Sequence, residues 1–342
     1  MKTNYLKIGC GLINSVEEAL CANNISGKIL YVSGCVVDKI YGAKIKNQIK
    51  QYGELKEEYV NYNTIEYAMK IAERCIATDI DCIVGLGGGK VLDVCKYAAY
   101  VSKTKYLAIP TTAANDGLVS PIAVLKRNDG LPRSLGAAMP DMALIDIEVI
   151  AEGPVQNIKA GIGDTISNYM ALKDWNLAEK RGKDHINTYA YLMSKNSLDA
   201  LMNVSFNEIN LELVEILINS LLLSGIAMEF AGSSRPVSGA EHCFSHALDY
   251  FCPKKNLHGL QVALGTIAIL KMIDEPYDEL LKYLHNFNVV VNPSILGIDK
   301  SVFVACMQSA SSMRKGRYTY LDEINLSSEI LGKVYDDLLL EL

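Results

Sequence analysis

At 342 residues the chain is long enough for two domains, or for one large α/β domain with additions. Half of it is apolar and 21% is charged, the profile of a globular protein, and the net charge of −6 argues against binding nucleic acid or an anionic membrane, both of which rely on surplus Lys and Arg. A pocket for one phosphate stays compatible with that charge, because it needs only a few donors.

Nine cysteines (Cys10, Cys21, Cys35, Cys75, Cys82, Cys95, Cys243, Cys252 and Cys306) give an odd count with no CxxC pair. Most lie in apolar runs, which predicts reduced, buried thiols in a cytoplasmic protein rather than a disulfide framework or a zinc ribbon. Met1–Tyr5 carries no apolar h-region, so no secretion signal is expected. The most apolar stretch, Leu211 to Ala231, is interrupted by Glu215, Asn219, Ser220, Ser224 and Glu229, and predicts a buried core helix rather than a membrane span. The expected partner is therefore a small molecule, without nucleic acid or a membrane span; assembly into a homo-oligomer is left open.

In chain order, Lys28–Val32, Asp81–Gly85 and Tyr106–Pro110 read as short apolar strands, with helical patterns over Thr64–Thr78 and Lys90–Ser102 between them. Near-continuous apolar strands alternating with helices predict a parallel sheet covered on both faces. Pro121–Leu125 and Met142–Ile147 flank Asn128-Asp129-Gly130 and read as further strands around a turn. After Val149 long helical patterns take over, at Lys159–Lys180, Thr188–Ser205, Leu211–Phe230 and Gly259–Asp274, with no convincing strand. The boundary is placed near residue 150, giving domains of 1–150 and 151–342. No Gly/Ser or Pro linker separates them, so the halves are expected to pack closely and share a cleft.

Three motifs carry chemistry. In Gly85-Leu86-Gly87-Gly88-Gly89-Lys90-Val91 a strand runs through three glycines straight into a helix. Residues without Cβ let backbone approach a ligand, and the amides at the helix start favour an anion such as a pyrophosphate. The spacing is neither GxGxxG nor a Walker loop, and a ligand-free tight turn is the alternative. In Pro110-Thr111-Thr112-Ala113-Ala114-Asn115-Asp116, continuing to Ser120-Pro121, small and hydroxylated residues follow a strand, where open α/β sheets place their ligands. Thr111, Thr112 and Ser120 are candidates for a nucleotide and Asp116 for a substrate hydroxyl, against an Asx-type turn. The third set is Asp164, His242, His246 and His258. His242 and His246 share a helix face, and three of the chain's five histidines fall within seventeen residues. One carboxylate with two or three imidazoles can form an open divalent-metal site; ordinary core or surface histidines are the alternative. His185 and His285 read as surface residues.

These motifs in this order resemble the iron-containing alcohol dehydrogenase and dehydroquinate synthase superfamily, and within it the sn-glycerol-1-phosphate dehydrogenase branch. The resemblance runs from Ile8-Gly9-Cys10-Gly11 to Gly316-Arg317-Tyr318-Thr319. Its specific stretches are Pro110 to Pro121, Ala160–Asp164 with Ser167-Asn168-Tyr169 and Lys173-Asp174-Trp175, and Ser233-Ser234-Arg235-Pro236 before Gly239-Ala240-Glu241-His242. It implies a Rossmann-like α/β nucleotide-binding domain followed by an all-α metal-binding domain of the dehydroquinate synthase type. It further implies NAD or NADP along Gly87, Gly88, Gly89, Lys90 and Val91, with Thr111, Thr112 and Ser120 facing the cofactor. Asp164, His242 and His258 match the ligands of a divalent metal, usually zinc. Asp116 and His246 match substrate contacts, with Asp164 touching metal and substrate alike. Position 168 is Asn where iron-dependent members carry a fourth ligand, His, which favours the three-ligand, zinc-using polyol branch.

The sequence departs from the family at Lys90, commonly Ser, and at Ala114-Asn115, more usually Ser-His. The strand Lys28–Val32 leads into Ser33-Gly34 rather than an acid, so nothing bars NADP. The implied reaction interconverts dihydroxyacetone phosphate and sn-glycerol 1-phosphate, with His246 as a proton relay. Arg235, just before the metal-site helix, is the candidate for the phosphate; a helix-capping surface arginine is the alternative. A glycerol dehydrogenase would need no phosphate site, a dehydroquinate synthase would need a Lys and Arg pattern not evident here, and a catalytically dead binding protein would not need the Asp164/His242/His258 set.

Overall fold

The computed structural model describes residues 3–252 and 254–341; Met1 and Lys2, part of the stretch read for a secretion signal, lie outside them. The chain divides into two compact units, one of Met1–Ala113 with Gly117–Val155, the other of Ala114–Asp116 with Gln156–Leu342.

The first unit is a Rossmann-like α/β structure. Its strands are β1 (Tyr5–Gly9), β2 (Lys28–Ser33), β3 (Glu54–Tyr59), β4 (Ile80–Gly87), β5 (Lys105–Pro110), β6 (Ile122–Lys126), β7 (Pro132–Gly136) and β8 (Met142–Asp146). Six form one parallel sheet in the order β1-β8-β5-β4-β2-β3. The central strands β2, β4, β5 and β8 are almost wholly buried, as a sheet covered on both faces requires. Ile29, Tyr31, Val84, Leu86, Leu107, Ile109 and Leu144 supply one side of the core. β3, Glu-Leu-Lys-Glu-Glu-Tyr, is a charged strand at the sheet edge, where charge discourages pairing with another chain.

One strand pairing differs from the sequence reading. The Asn128-Asp129-Gly130 turn joins β6 to β7 in an antiparallel hairpin, and β8 instead enters the parallel sheet beside β1 and β5. The two strands differ in burial. β7 opens on Pro132, tolerated at the first position of a strand, and is largely exposed, whereas all five residues of β8 are buried. Three cysteines, Cys10, Cys21 and Cys35, are exposed rather than buried; the other six are buried free thiols.

The second unit is helical, with no strand among its described residues. The helices that matter here are Val155–Lys180, Thr188–Met202, Leu211–Ala231, Ala240–Phe251 and His258–Met272. Leu211–Ala231 is the one helix among the described residues long and apolar enough to cross a membrane, and about two thirds of its apolar window is buried inside the protein. Leu172, Trp175, Ala190 and Ala227 pack together from three of these helices. Gly163 and Gly259 set a close approach in the unit: a Cβ on either would run into backbone, at Gly259 or at Ala160. Only glycine allows that contact, which draws the helix bearing Asp164 against the one that starts at His258.

Candidate active site

In the first unit, β4 ends at Gly87 and the helix Gly89–Ser102 begins two residues later, with Gly88 between them in extended conformation. The three glycines are not equivalent. A Cβ at Gly87 would press on Val91, and one at Gly88 on Thr112 Oγ1, 3.0 Å away. At Gly89 it would meet nothing within 4 Å, so the start of the helix faces open space. Thr111 runs beside this turn, its N–H donating to Gly87 O at 3.0 Å, while Lys90 is exposed and Val91 buried. Thr111 is buried and Thr112 partly so. Ser120, in contrast, is 1% exposed, its hydroxyl accepting from Lys96 Nζ and donating to Ile122 O. That side chain is spent inside the unit rather than offered to a ligand.

In the second unit, Asp164, His242 and His258 each place one ligand atom within 4.8 Å of the others. His258 Nε2 lies 3.6 Å from Asp164 Oδ1, and the two imidazole rings meet edge to face at 4.8 Å. Asp164 is 4% exposed; its Oδ2 accepts the Asp116 N–H at 3.0 Å and its Oδ1 is buried with no partner. A buried carboxylate oxygen left unpaired is costly, and a cation is the group that would repair it. Burial, and then the neighbouring Asp116, push the Asp164 carboxyl well above its usual range, and burial pushes both imidazoles well below theirs. Neutral imidazoles and an orphaned carboxylate oxygen are the donor set a divalent metal takes. About a third of the His258 side chain surface remains exposed, which leaves an approach for a further ligand.

Both histidines are held in one tautomer. Glu241 Oε1 accepts the Gly239 N–H at 2.7 Å and lies 2.7 Å from His242 Nδ1, so Nδ1 donates and Nε2 keeps its lone pair. His258 is fixed by a longer relay. Gln261 Nε2 donates to Asp249 Oδ1 (3.3 Å), which turns Gln261 Oε1 toward Ser245; Ser245 gives that oxygen its single hydrogen (2.7 Å) and must then accept from His258 Nδ1 (2.9 Å). The sequence reading found the ligand candidates but not these supports. Glu241, adjacent to His242, carried a local signal; Gln261, sixteen residues from Ser245, carried none.

The remaining candidates fall in different places. Asp116 is partly buried beside Asp164, with which it shares the backbone contact above. His246 is partly buried, and desolvation together with the charges of Arg314 and Arg317 lowers it to about 4. Asn168 is turned into a buried polar cluster, donating to Ser224 Oγ at 2.9 Å and Ser197 Oγ at 3.4 Å. Arg235 is 4% exposed, which removes the surface-capping alternative. Its Nε pairs with Asp184 Oδ2 at 2.6 Å and one Nη with Tyr318 O at 2.8 Å, so much of its fork is already engaged. His185 and His285 are exposed.

A parallel-sheet nucleotide unit joined to a helical unit carrying one carboxylate and two imidazoles defines an iron-containing alcohol dehydrogenase type of protein, and that family's model matches residues 7–154. Solved structures share the fold over nearly the whole chain. A probable glycerol dehydrogenase from Sinorhizobium meliloti superposes with a TM-score of 0.80 at 20% identity, covering 98% of this chain and 97% of that one. Sulfoacetaldehyde reductase from Bifidobacterium kashiwanohense, solved with NAD+, gives 0.74 at 14% identity, covering 99% and 98%. The sequence is more specific than the fold. It is 34% identical to the glycerol-1-phosphate dehydrogenase [NAD(P)+] of Hyperthermus butylicus over 94% of this chain and 93% of that one. To the enzyme of the same name from Sulfurisphaera tokodaii it is also 34% identical, over 96% and 93%. The chain belongs to the glycerol-1-phosphate dehydrogenase family.

Proposed function

We propose that the protein interconverts dihydroxyacetone phosphate and sn-glycerol 1-phosphate with NAD or NADP, using one divalent cation, zinc in our reading, at Asp164, His242 and His258. The observation that carries the site is Asp164 Oδ1, buried, without a partner, and 3.6 Å from an imidazole nitrogen whose lone pair is kept free. Family membership carries the reaction and the cofactor class. When bound, the cation supplies a Lewis acid for the ketone oxygen and the reduced nicotinamide supplies the hydride.

The chain's own residues place and gate these groups. Amides of Gly87, Gly88, Gly89, Lys90 and Val91 hold the pyrophosphate at the open helix start, with Thr111 and Thr112 beside it and Ser120 contributing through its main chain alone. Ser33, buried with its hydroxyl on Leu86 O, presents no acid to a ribose, which supports use of both NAD and NADP. Asp164 divides its two oxygens between the Asp116 amide and the metal position, and the Asp116 carboxylate orients a substrate hydroxyl. His246, neutral at pH 7, relays a proton by accepting one at its bare ring nitrogen and releasing another from its N–H, rather than by storing charge. The six buried free thiols support a cytoplasmic setting.

The test is turnover of dihydroxyacetone phosphate and dihydroxyacetone with NADH and with NADPH, followed by determination of product configuration. The expected result is a higher kcat/KM for the phosphorylated ketone and sn-glycerol 1-phosphate as product. Preference for dihydroxyacetone would transfer the site to glycerol dehydrogenase chemistry and overturn the reading.

A further inference from the structure

Three arginines converge on one short segment of the second unit, Ser234–Ser238, which immediately precedes the helix carrying His242 and His246. Arg314 donates to Ser238 Oγ at 2.9 Å; Arg317 donates to Ser238 O and, at 3.1 Å, to Ser234 Oγ; Arg235 lies within the segment itself. Arg235 and Arg317 are 4% and 9% exposed, while Arg314 is partly open to solvent.

Two buried guanidiniums and a third partly open to solvent need negative charge, and the chain pairs little with them. Asp184, on Arg235, is the only carboxylate paired with any of them among the described residues. Two buried acids close by have most of their acceptors committed elsewhere, with Glu241 Oε2 left unpaired. Asp174 accepts the amides of Ala240 and Tyr320, and Glu241 accepts Gly239 N–H and holds His242. Because those carboxylates already cap the helix start, an anion arriving here would meet guanidinium donors rather than backbone amides. Arg235 Nη2 is buried with no partner, which marks a donor position still unfilled. Burial, and after it Arg314 and Arg235, lower Arg317 to about 9. The cluster is also close to the metal-site residues: Ser238, which Arg314 and Arg317 both hold, stands two residues before the helix Ala240–Phe251 that carries His242 and His246.

We infer that Arg314 and Arg317, backed by Arg235, form an anion subsite beside the metal position that receives the phosphate of a phosphorylated ketone substrate. This rests on the function proposed above and relocates its phosphate contact. Arg235, with two donors committed, serves as backing, and Arg314, anchored by one nitrogen to Ser238 and partly open to solvent, makes the principal contact. A planar fork suits a phosphate, whose oxygens take two parallel charge-assisted hydrogen bonds.

The test uses the metal-loaded protein and two readouts. The first is the ratio of kcat/KM for dihydroxyacetone phosphate to that for dihydroxyacetone, in the parent, Arg314→Ala and Arg314→Lys. Loss of a charge-assisted contact should lower the ratio about ten- to a hundred-fold in Arg314→Ala, with partial recovery in Arg314→Lys. The second is the rise in Tm produced by inorganic phosphate over chloride at equal ionic strength, expected in the parent and abolished in Arg314→Ala. An unchanged ratio together with unchanged phosphate protection in a folded Arg314→Ala protein overturns the subsite while leaving the proposed reaction standing; phosphate held by the metal alone would give that result. A parent without preference for the phosphorylated ketone overturns the reaction, and the phosphate titration then judges the subsite by itself: no protection of the parent overturns it.

Discussion

In the function proposed above, Gly87–Gly89 offer backbone to a ligand, and Asp164, His242 and His258 offer side chains; the two arrangements need different support. The glycine turn needs room. Its amides are oriented by the strand before it and the helix after it, and the open space at Gly89 is the specific feature. The side-chain site needs constraint, because an imidazole can present either nitrogen and a carboxylate either oxygen. It obtains constraint from Glu241, from the Ser245–Gln261–Asp249 relay, and from the Gly163/Gly259 contact that sets the helix spacing. A backbone site can therefore be written in a few contiguous residues, whereas a side-chain site draws on residues far apart in the chain.

The comparison breaks most visibly at a ligand. His258→Ala removes one of three donors, and a two-ligand remnant should not retain the cation through desalting. Metal content should fall from one equivalent to near zero and activity with it, while the far-ultraviolet circular dichroism stays that of the parent. Metal retained at parental stoichiometry would show that the ion is held elsewhere.

The backbone site is tested at Gly89. A side chain there meets nothing within 4 Å, so Gly89→Val should leave Tm unchanged or slightly raised while standing where the pyrophosphate would lie. Losing two charge-assisted contacts to backbone amides should raise the NADH dissociation constant by about a hundred-fold or more. Calorimetry that finds parental NADH affinity would contradict the placement of the cofactor; metal affinity serves as the control.

This contrast also explains what was legible in the sequence. The glycine turn could be read directly, since strand, glycines and helix are consecutive from Gly85 to Lys96. The candidate ligands were legible because histidine is scarce in this chain and the local motifs resemble one family. The supports were not, because Gln261 meets Ser245, and Gly259 meets Gly163, only after the helices have packed. The same reason directed attention to Arg235, next to the His242 helix in sequence, and away from Arg314 and Arg317, which reach the segment from nearly eighty residues downstream. The strand error was of the same kind: the turn after β6 is local, but whether β7 or β8 answers it depends on which strand the parallel sheet buries.

Glu241 should matter nearly as much as a ligand. It is fully buried, it fixes His242, and its Oε2 has no partner, so Glu241→Ala removes the tautomer anchor and leaves Gly239 N–H unpaired. Metal affinity should drop toward the upper end of the ten- to hundred-fold range typical of such supporting groups. Glu241→Gln keeps an acceptor oxygen of the same shape and should recover most of the loss. If the alanine variant binds metal as the parent does, the orientation argument fails for His242.

The smallest effect is expected one step further from the metal, at Ser245. In Ser245→Ala the ring of His258 keeps its position at the start of its helix, and no ligand atom is removed. The Nδ1–H loses its acceptor and Gln261 Oε1 loses its donor, so the preference for a free Nε2 lone pair is no longer enforced. His258 is partly exposed, and water can replace some of what is lost, which limits the penalty. Metal affinity should fall by about ten-fold, at the lower end of the range for supporting groups, with little change in Tm. A cobalt-substituted protein gives a second readout, because altered orientation of one imidazole should shift its visible absorption even where affinity changes little. Ser245→Thr retains the hydroxyl and should restore both. Parental affinity and an unshifted cobalt spectrum in Ser245→Ala would mean that helix packing alone orients His258, and that the relay through Gln261 and Asp249 is incidental to the metal.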